Sequence, residues 1–170
     1  MDIAETPKDE DATPEESQSV VSKLGDLWIL GDHRIICGSS TDTETVNRVL
    51  AGAKPHLMIT DPPYGVNYDP AWRSQIHASP ALRTGKVLND DEADWRKAWQ
   101  LFPGDVRYVW HASLHSDEVS QSLQACNFAM RALIVWAKNN FALSRGDYHW
   151  QHECCWYALR KDTDSECPEM

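Results

Sequence analysis

Apolar and polar positions alternate from Leu24 to Cys37, and the alternation reverses around Gly31-Asp32, which predicts a β-hairpin. Thr41-Asp42-Thr43-Glu44 then reads as a capping box, followed at helical spacing by Val46, Val49, Leu50 and Ala53. Leu57-Met58-Ile59-Thr60 is a continuous apolar run closed by Pro55 and Pro62-Pro63, the pattern of a buried strand in a parallel sheet. No steady period marks the stretch to about residue 88. Asp90-Asp91-Glu92 then puts acids at the positive end of a helix whose stripe is Trp95, Ala98, Trp99 and Phe102. A strand is predicted over Val106 to Trp110, and a helix capped by Ser116 turns Val119, Leu123 and Cys126 inward. Phe128 to Ala137 and Cys154 to Leu159 complete the pattern as two strands around an exposed loop.

This order predicts an α/β fold with a largely parallel sheet and an antiparallel hairpin at its edge. One sheet is expected to hold 33–37, 57–60, 106–110, 129–136 and 154–159. At 170 residues the chain makes one domain at most. Its net charge of −10 is concentrated at the ends. Residues 1–22 carry seven acids and one lysine, and 161–170 carry four acids and one lysine. Both segments read as disordered acidic tails, leaving 23–160 as a near-neutral folded part. A near-neutral domain has no strong phosphate-binding footprint.

The five cysteines form no CxxC pair and no zinc spacing. His149, His152, Cys154 and Cys155 fall on an alternating strand entry, so no metal site is expected. With no secretory signal and no apolar run near 18 residues, the expected setting is the reducing cytoplasm, with no membrane partner.

Asp61-Pro62-Pro63-Tyr64 follows the apolar strand directly, and open α/β sheets bind ligands at the carboxyl ends of their strands. The tetrapeptide resembles the catalytic motif of DNA amino-methyltransferases, which methylate adenine-N6 or cytosine-N4 with S-adenosylmethionine. An exocyclic amine is a poor nucleophile because its lone pair is delocalised into the ring. The resemblance implies that Asp61 and the Pro62 carbonyl accept the amine hydrogens and localise that pair. Pro62 and Pro63 would make the acceptors rigid, and Tyr64 would stack on a flipped-out base, a role that needs only its ring.

The similarity extends over about residues 24 to 160. It includes Gly31 to Gly38, which look like the strand and turn before the catalytic motif, and Tyr108-Val109-Trp110-His111-Ala112, Ile134-Val135-Trp136-Ala137-Lys138 and Tyr148 to Ala158, which look like later strands of the permuted phage and prophage-like subgroup. It implies a partial Rossmann-like methyltransferase fold, double-stranded DNA as partner, and a restriction–modification or prophage setting.

Ser39 stands where the family commonly carries an acidic cofactor-binding residue, so Ser39 and Asp61 are the cofactor candidates. Family members also hold the cofactor with a glycine-rich loop, and this chain contains no Gly-x-Gly. The expectation is therefore an amino-terminal catalytic half, cut short, with a second polypeptide as a possible source of the rest. The alternative is a catalytically silent remnant or interaction module of the same fold. A metal-dependent nucleotide enzyme built on Asp61 lacks a second acidic cluster on a neighbouring strand end. Trp72 and Arg73 lie in a segment that is either a surface loop or an approach to DNA. Lys138 and Arg145 are either phosphate contacts or solvated termini.

Overall fold

The computed structural model describes Ser19 and residues 21–67, 87–142 and 147–161. Trp72, Arg73, Arg145 and nearly all of both acidic tails lie outside these residues. The chain divides into two compact units, one ending at Gly38 and the other beginning at Ser39.

In the first unit, β1 (Leu27–Leu30) and β2 (His33–Ile36) pair antiparallel from Leu27↔Ile36 to Leu30↔His33. Gly31, at φ +62°, makes the two-residue turn possible. The predicted hairpin is present, but β2 does not join the main sheet as expected. Its ladder is entirely local, and the two strands form a separate sheet.

The second unit contains α1 (Thr43–Leu50), β3 (Leu57–Thr60), α2 (Arg96–Leu101), β4 (Val106–His111), α3 (Ser116–Ala125), β5 (Phe128–Ala142) and β6 (Trp150–Arg160). Asp42 caps α1 in place of Thr41, accepting from the Thr45 amide at 2.8 Å. α1 ends where Ala51 enters the left-handed region at φ 46°. The predicted cap at Ser116 is also displaced. A 3₁₀ turn over Ser113–His115 runs directly into α3, and the Ser116 carbonyl instead accepts from Trp156 Nε1 at 3.1 Å.

The four-stranded sheet has the order β3-β4-β6-β5. Only β3 and β4 are parallel, whereas β6 runs antiparallel to both β4 and β5. The sheet is therefore mixed, which corrects the expectation of a largely parallel one. β5 and β6 are joined as a hairpin, and the returning β6 inserts beside β4 rather than extending the edge.

The burial expected of β3 needs a second correction. Met58 packs against the core, but Leu57 and Ile59 are 46% and 68% exposed. A continuous apolar run predicts cover on both faces, but β3 lies at the edge of this sheet.

Among the described residues, the core cluster lies where the sheet meets α2 and α3. Val109, Phe128 and Ala158 from the strands meet Ala98, Trp99, Val119 and Leu123 from α2 and α3. Along β4 the alternation is strict, with Arg107, Val109 and His111 buried. Arg107 is wholly buried and lacks a carboxylate partner among the described residues. Its Nη2 donates to the Trp99 carbonyl, while Nε and Nη1 have no acceptor.

Aromatic faces take the acceptor's place. The guanidinium carbon lies 3.6 Å from the Phe128 ring centre, 5.2 Å from Phe102 and 5.9 Å from Trp99. Burial pulls the guanidinium down to about 10, so it still carries its charge at neutral pH. A buried cation costs free energy unless something compensates it, and ring quadrupoles supply that here.

Phe128→Leu is expected to cost about 2–4 kcal/mol of stability in the Arg107 protein and clearly less in Arg107→Met. Urea denaturation of the four-member mutant cycle measures this. Additive effects would show that the rings do not compensate the charge.

Candidate active site

β3 pairs with β4 as far as Thr60↔Val109, so Asp61 opens the loop at the carboxyl end of a parallel pair. The Tyr64 hydroxyl donates to Asp61 Oδ1 at 2.5 Å. Burial and this bond push the Tyr64 phenol well above its ordinary range, keeping it a donor. One carboxylate oxygen is thus oriented by the motif itself, leaving acceptor capacity on the other. No described residue donates to the Pro62 carbonyl, whereas Pro63 O accepts from Trp95 Nε1 at 3.0 Å.

The chain beyond the motif is held by Asp90, which is only 5% exposed. Its Oδ1 accepts from the amides of Gly65 and Val66 at 2.9 and 3.3 Å, and its carbonyl accepts from Asn67 at 2.7 Å. Gly65 is required at this point. It has φ +75°, and a Cβ would come within 2.9 Å of the Ala93 nitrogen. The acids at 90–92 therefore do not serve a helix start as expected. α2 begins later, at Arg96, whose amide is met by the Asp94 carboxylate at 2.9 Å. Asp90 was missed as a site-forming residue because its partner is backbone 24 and 25 residues away. An aspartate beside an asparagine in a loop gives no sign of that in sequence.

A second group of residues shares one face of the sheet. Trp110, Cys155 and Ile134 lie side by side across β4, β6 and β5, and the next pair on that face is Glu153↔Trp136. Trp110 and Trp136 meet edge to face, with centroids 6.2 Å apart. Cys155 is 1% exposed, and burial pushes its thiol up to about 11, so it is an uncharged floor.

Lys138, the candidate phosphate contact or solvated terminus, lies within β5. It forms an ion pair with Glu153, and its ammonium lies 5.3 Å from the Trp136 ring centre. Trp110, Trp136 and Glu153 thus share one face of the sheet, which a reading of each strand alone does not show. Period-two alternation could have put 110, 134, 136, 153 and 155 on one face, given the β4–β6–β5 pairing.

Ser39 Oγ is shared with the Thr41 hydroxyl at 2.8 Å and the Thr41 amide at 3.2 Å, which uses it within its own turn. Thr41 also lines a shallow cavity of about 270 Å³ with Glu92, Asp94, Trp95, Arg96, Lys97 and Gln100. Two acids and two bases with no backbone cradle do not fit S-adenosylmethionine, and the chain has no Gly-x-Gly to supply one. No three His, Cys, Asp or Glu side chains among the described residues are placed to hold a metal. His149 stacks on Phe141 at 4.8 Å, and His152 Nε2 meets Ser113 Oγ at 3.3 Å. No described helix is long and apolar enough to cross a membrane.

No family model matches the chain, and neither does any curated protein. Among solved structures it is similar to the M1.HpyAVI–SAM complex, at 18% identity, covering 71% of this chain and 52% of that one with a TM-score of 0.43. It is similar to M1.HpyAVI at 17% identity over the same shares, with a TM-score of 0.42. The chain spans about half the length of these structures.

His111 ends β4 near the site. It is 2% exposed, stacks on Trp156 at 5.8 Å, and donates from Nδ1 to the Ala112 carbonyl at 3.0 Å. Nε2 has no partner among the described residues, and burial lowers the imidazole pKa below its ordinary 6.5. The unfolded chain therefore binds the proton more readily. The neutral ring contributes stability fully above about pH 6.5, and that contribution is lost as pH falls through the lower folded value. Relative to His111→Phe, the natural protein should lose up to about 1.4 kcal/mol per pH unit below 6.5. Parallel pH–urea profiles of the two proteins would show this window, and superimposable slopes would contradict it.

Proposed function

We propose that this chain is the catalytic portion of a DNA amino-methyltransferase acting on adenine-N6 or cytosine-N4. The observation carrying the reading is the Asp61–Tyr64 hydrogen bond at the carboxyl end of β3. It presents an oriented carboxylate beside a peptide carbonyl, both acceptors, with an aromatic ring alongside. That set suits a flat base bearing an exocyclic amine. Asp61 and the Pro62 carbonyl each accept one amine hydrogen, which draws the nitrogen toward tetrahedral geometry and localises its lone pair. Asp61 then faces the positive charge that develops on the nitrogen. A fixed acceptor pair needs no rearrangement as that charge grows.

S-adenosylmethionine is the methyl donor in this reading, and the chain has no Gly-x-Gly to cradle it. The donor would be held by a second polypeptide or a further segment carrying a glycine-rich loop, with double-stranded DNA as substrate. The same lack of a cradle supports the second reading, a module of this fold that binds without transferring methyl groups.

Supplied with such a cofactor-binding half, the chain should incorporate methyl groups into DNA, and Asp61→Ala should reduce incorporation to background. Transfer that survives Asp61→Ala would remove the motif from the chemistry. Stacking alone would make Tyr64→Phe mild, but the hydroxyl also orients Asp61. Tyr64→Phe should therefore lower the rate roughly ten-fold, the loss of one hydrogen bond to a charged group. In titration calorimetry the 170-residue chain alone should bind S-adenosylmethionine weakly or not at all. Micromolar binding would show that its own residues complete the cofactor site.

A further inference from the structure

β3 is an edge strand in the order β3-β4-β6-β5, and it lacks the features that usually protect an edge. The Val106 amide donates to the His56 carbonyl, and Leu57 is in register with Val106. In a parallel ladder of that phase Met58 and Thr60 bond toward β4, while the N–H and C=O of Leu57 and Ile59 point away from it. Among the described residues no backbone group bonds to them. The Leu57 and Ile59 side chains stand on one face and are 46% and 68% exposed.

The opposite edge differs. β5 carries Arg131 and Lys138, and its register shifts at Met130/Ala132 and at Ala137/Ala142. Charges and bulges of that kind deter strand addition. β3 reads Leu-Met-Ile-Thr and has neither.

We propose that the free edge of β3 pairs antiparallel with β3 of a second copy of this chain, across a two-fold axis at Met58. Register selects this occupant. With Met58 opposite its own counterpart, Leu57 faces Ile59 of the second copy and Ile59 faces Leu57. Each such pair directs its backbone groups across the seam and exchanges both hydrogen bonds, so every outward group of Leu57 and Ile59 is used. Each pair also sets one aliphatic side chain against another on the same face.

The neighbouring registers are poorer. An axis at Leu57 puts Ile59 opposite Pro55, which has no N–H to give. An axis at Ile59 sets Leu57 against the Asp61 carboxylate. In the Met58 register, Lys54 of one copy stands one position beyond the residue opposite Asp61 of the other, so unlike charges close each end of the seam. An unrelated strand would have to match the phase, the aliphatic pairs and these charges, whereas a second copy matches all three by symmetry. The two sheets then continue as one, and assembly stops at two because both β3 edges are consumed. The inference stands apart from the chemistry proposed for Asp61.

Sedimentation velocity of the 170-residue chain over a concentration series tests this, with amide hydrogen exchange followed by NMR at both ends of the series. A short seam buries little area, so the dimer should be weak and should dissociate on dilution. At high concentration the Leu57 and Ile59 amides should exchange several-fold more slowly. Those of Met58 and Thr60, already bonded to β4, should change little. Ile59→Lys should raise the dissociation constant about ten-fold or more, and Ile59→Thr, which keeps a β-branched strand residue, by less. Both variants should keep the natural circular dichroism spectrum, because the Ile59 side chain is exposed.

A natural chain that stays monomeric throughout overturns the proposal and leaves the edge to an unlike partner. A dimer whose Leu57 and Ile59 amides keep their dilute exchange rates, or one that Ile59→Lys leaves intact, overturns it too. Growth beyond the dimer would do the same, since it needs a second edge such as β5.

Discussion

The site depends on how the loop after β3 is held. A strand end followed by two prolines cannot close its own hydrogen bonds, because neither proline has an N–H to give. The holding groups therefore come from elsewhere in the chain. Trp95 donates its indole N–H to the Pro63 carbonyl, and the buried Asp90 collects the amides of Gly65 and Val66. These bonds fix the exit of the motif against the segment that enters α2. Within that frame Tyr64 can reach back to Asp61. Without it, a four-residue stretch bearing an aspartate would have no defined geometry, and an oriented acceptor is what the proposed chemistry needs.

The same segment connects the site to the core. Trp95 and Trp99 are both buried in the cluster that α2 and α3 build on one face of the sheet, and Trp99 also bonds Ser122 of α3 at 2.9 Å. On the far side of Trp99 lies the Arg107 guanidinium in its aromatic surround. Packing on this face is dense and partly polar. On the other face Leu57, Ile59, Ile134 and Trp136 are each at least 40% exposed, while Cys155 is buried.

Much of this was legible in the sequence, and the misses share a cause. The hairpin at Gly31-Asp32, the strand at Leu57–Thr60, the tryptophan stripe and the final pair of strands follow from period and punctuation. These signals are local. Sheet order is not local, so β6 inserting beside β4 and β2 leaving the main sheet were not readable. Helix starts were displaced by a residue or more, since Thr41 competes with Asp42 for the cap and a 3₁₀ turn precedes Ser116. The tetrapeptide drew notice by its residue types. Asp90, Trp110, Trp136 and Glu153 did not, because each gains its place by pairing across strands or loops. Lys138 was singled out as a cation and proves to be paired with Glu153.

The central claim is that Asp61 accepts a hydrogen bond from the exocyclic amine of a nucleobase. It is tested most directly by ¹⁵N NMR of amino-labelled deoxyadenosine and deoxycytidine titrated with the chain. The account predicts that the amino nitrogen resonance moves on binding to the natural chain and stays in place with Asp61→Ala, while ring protons shift in both. An amino resonance that moves equally with Asp61→Ala, or never moves although the ring protons do, would contradict it.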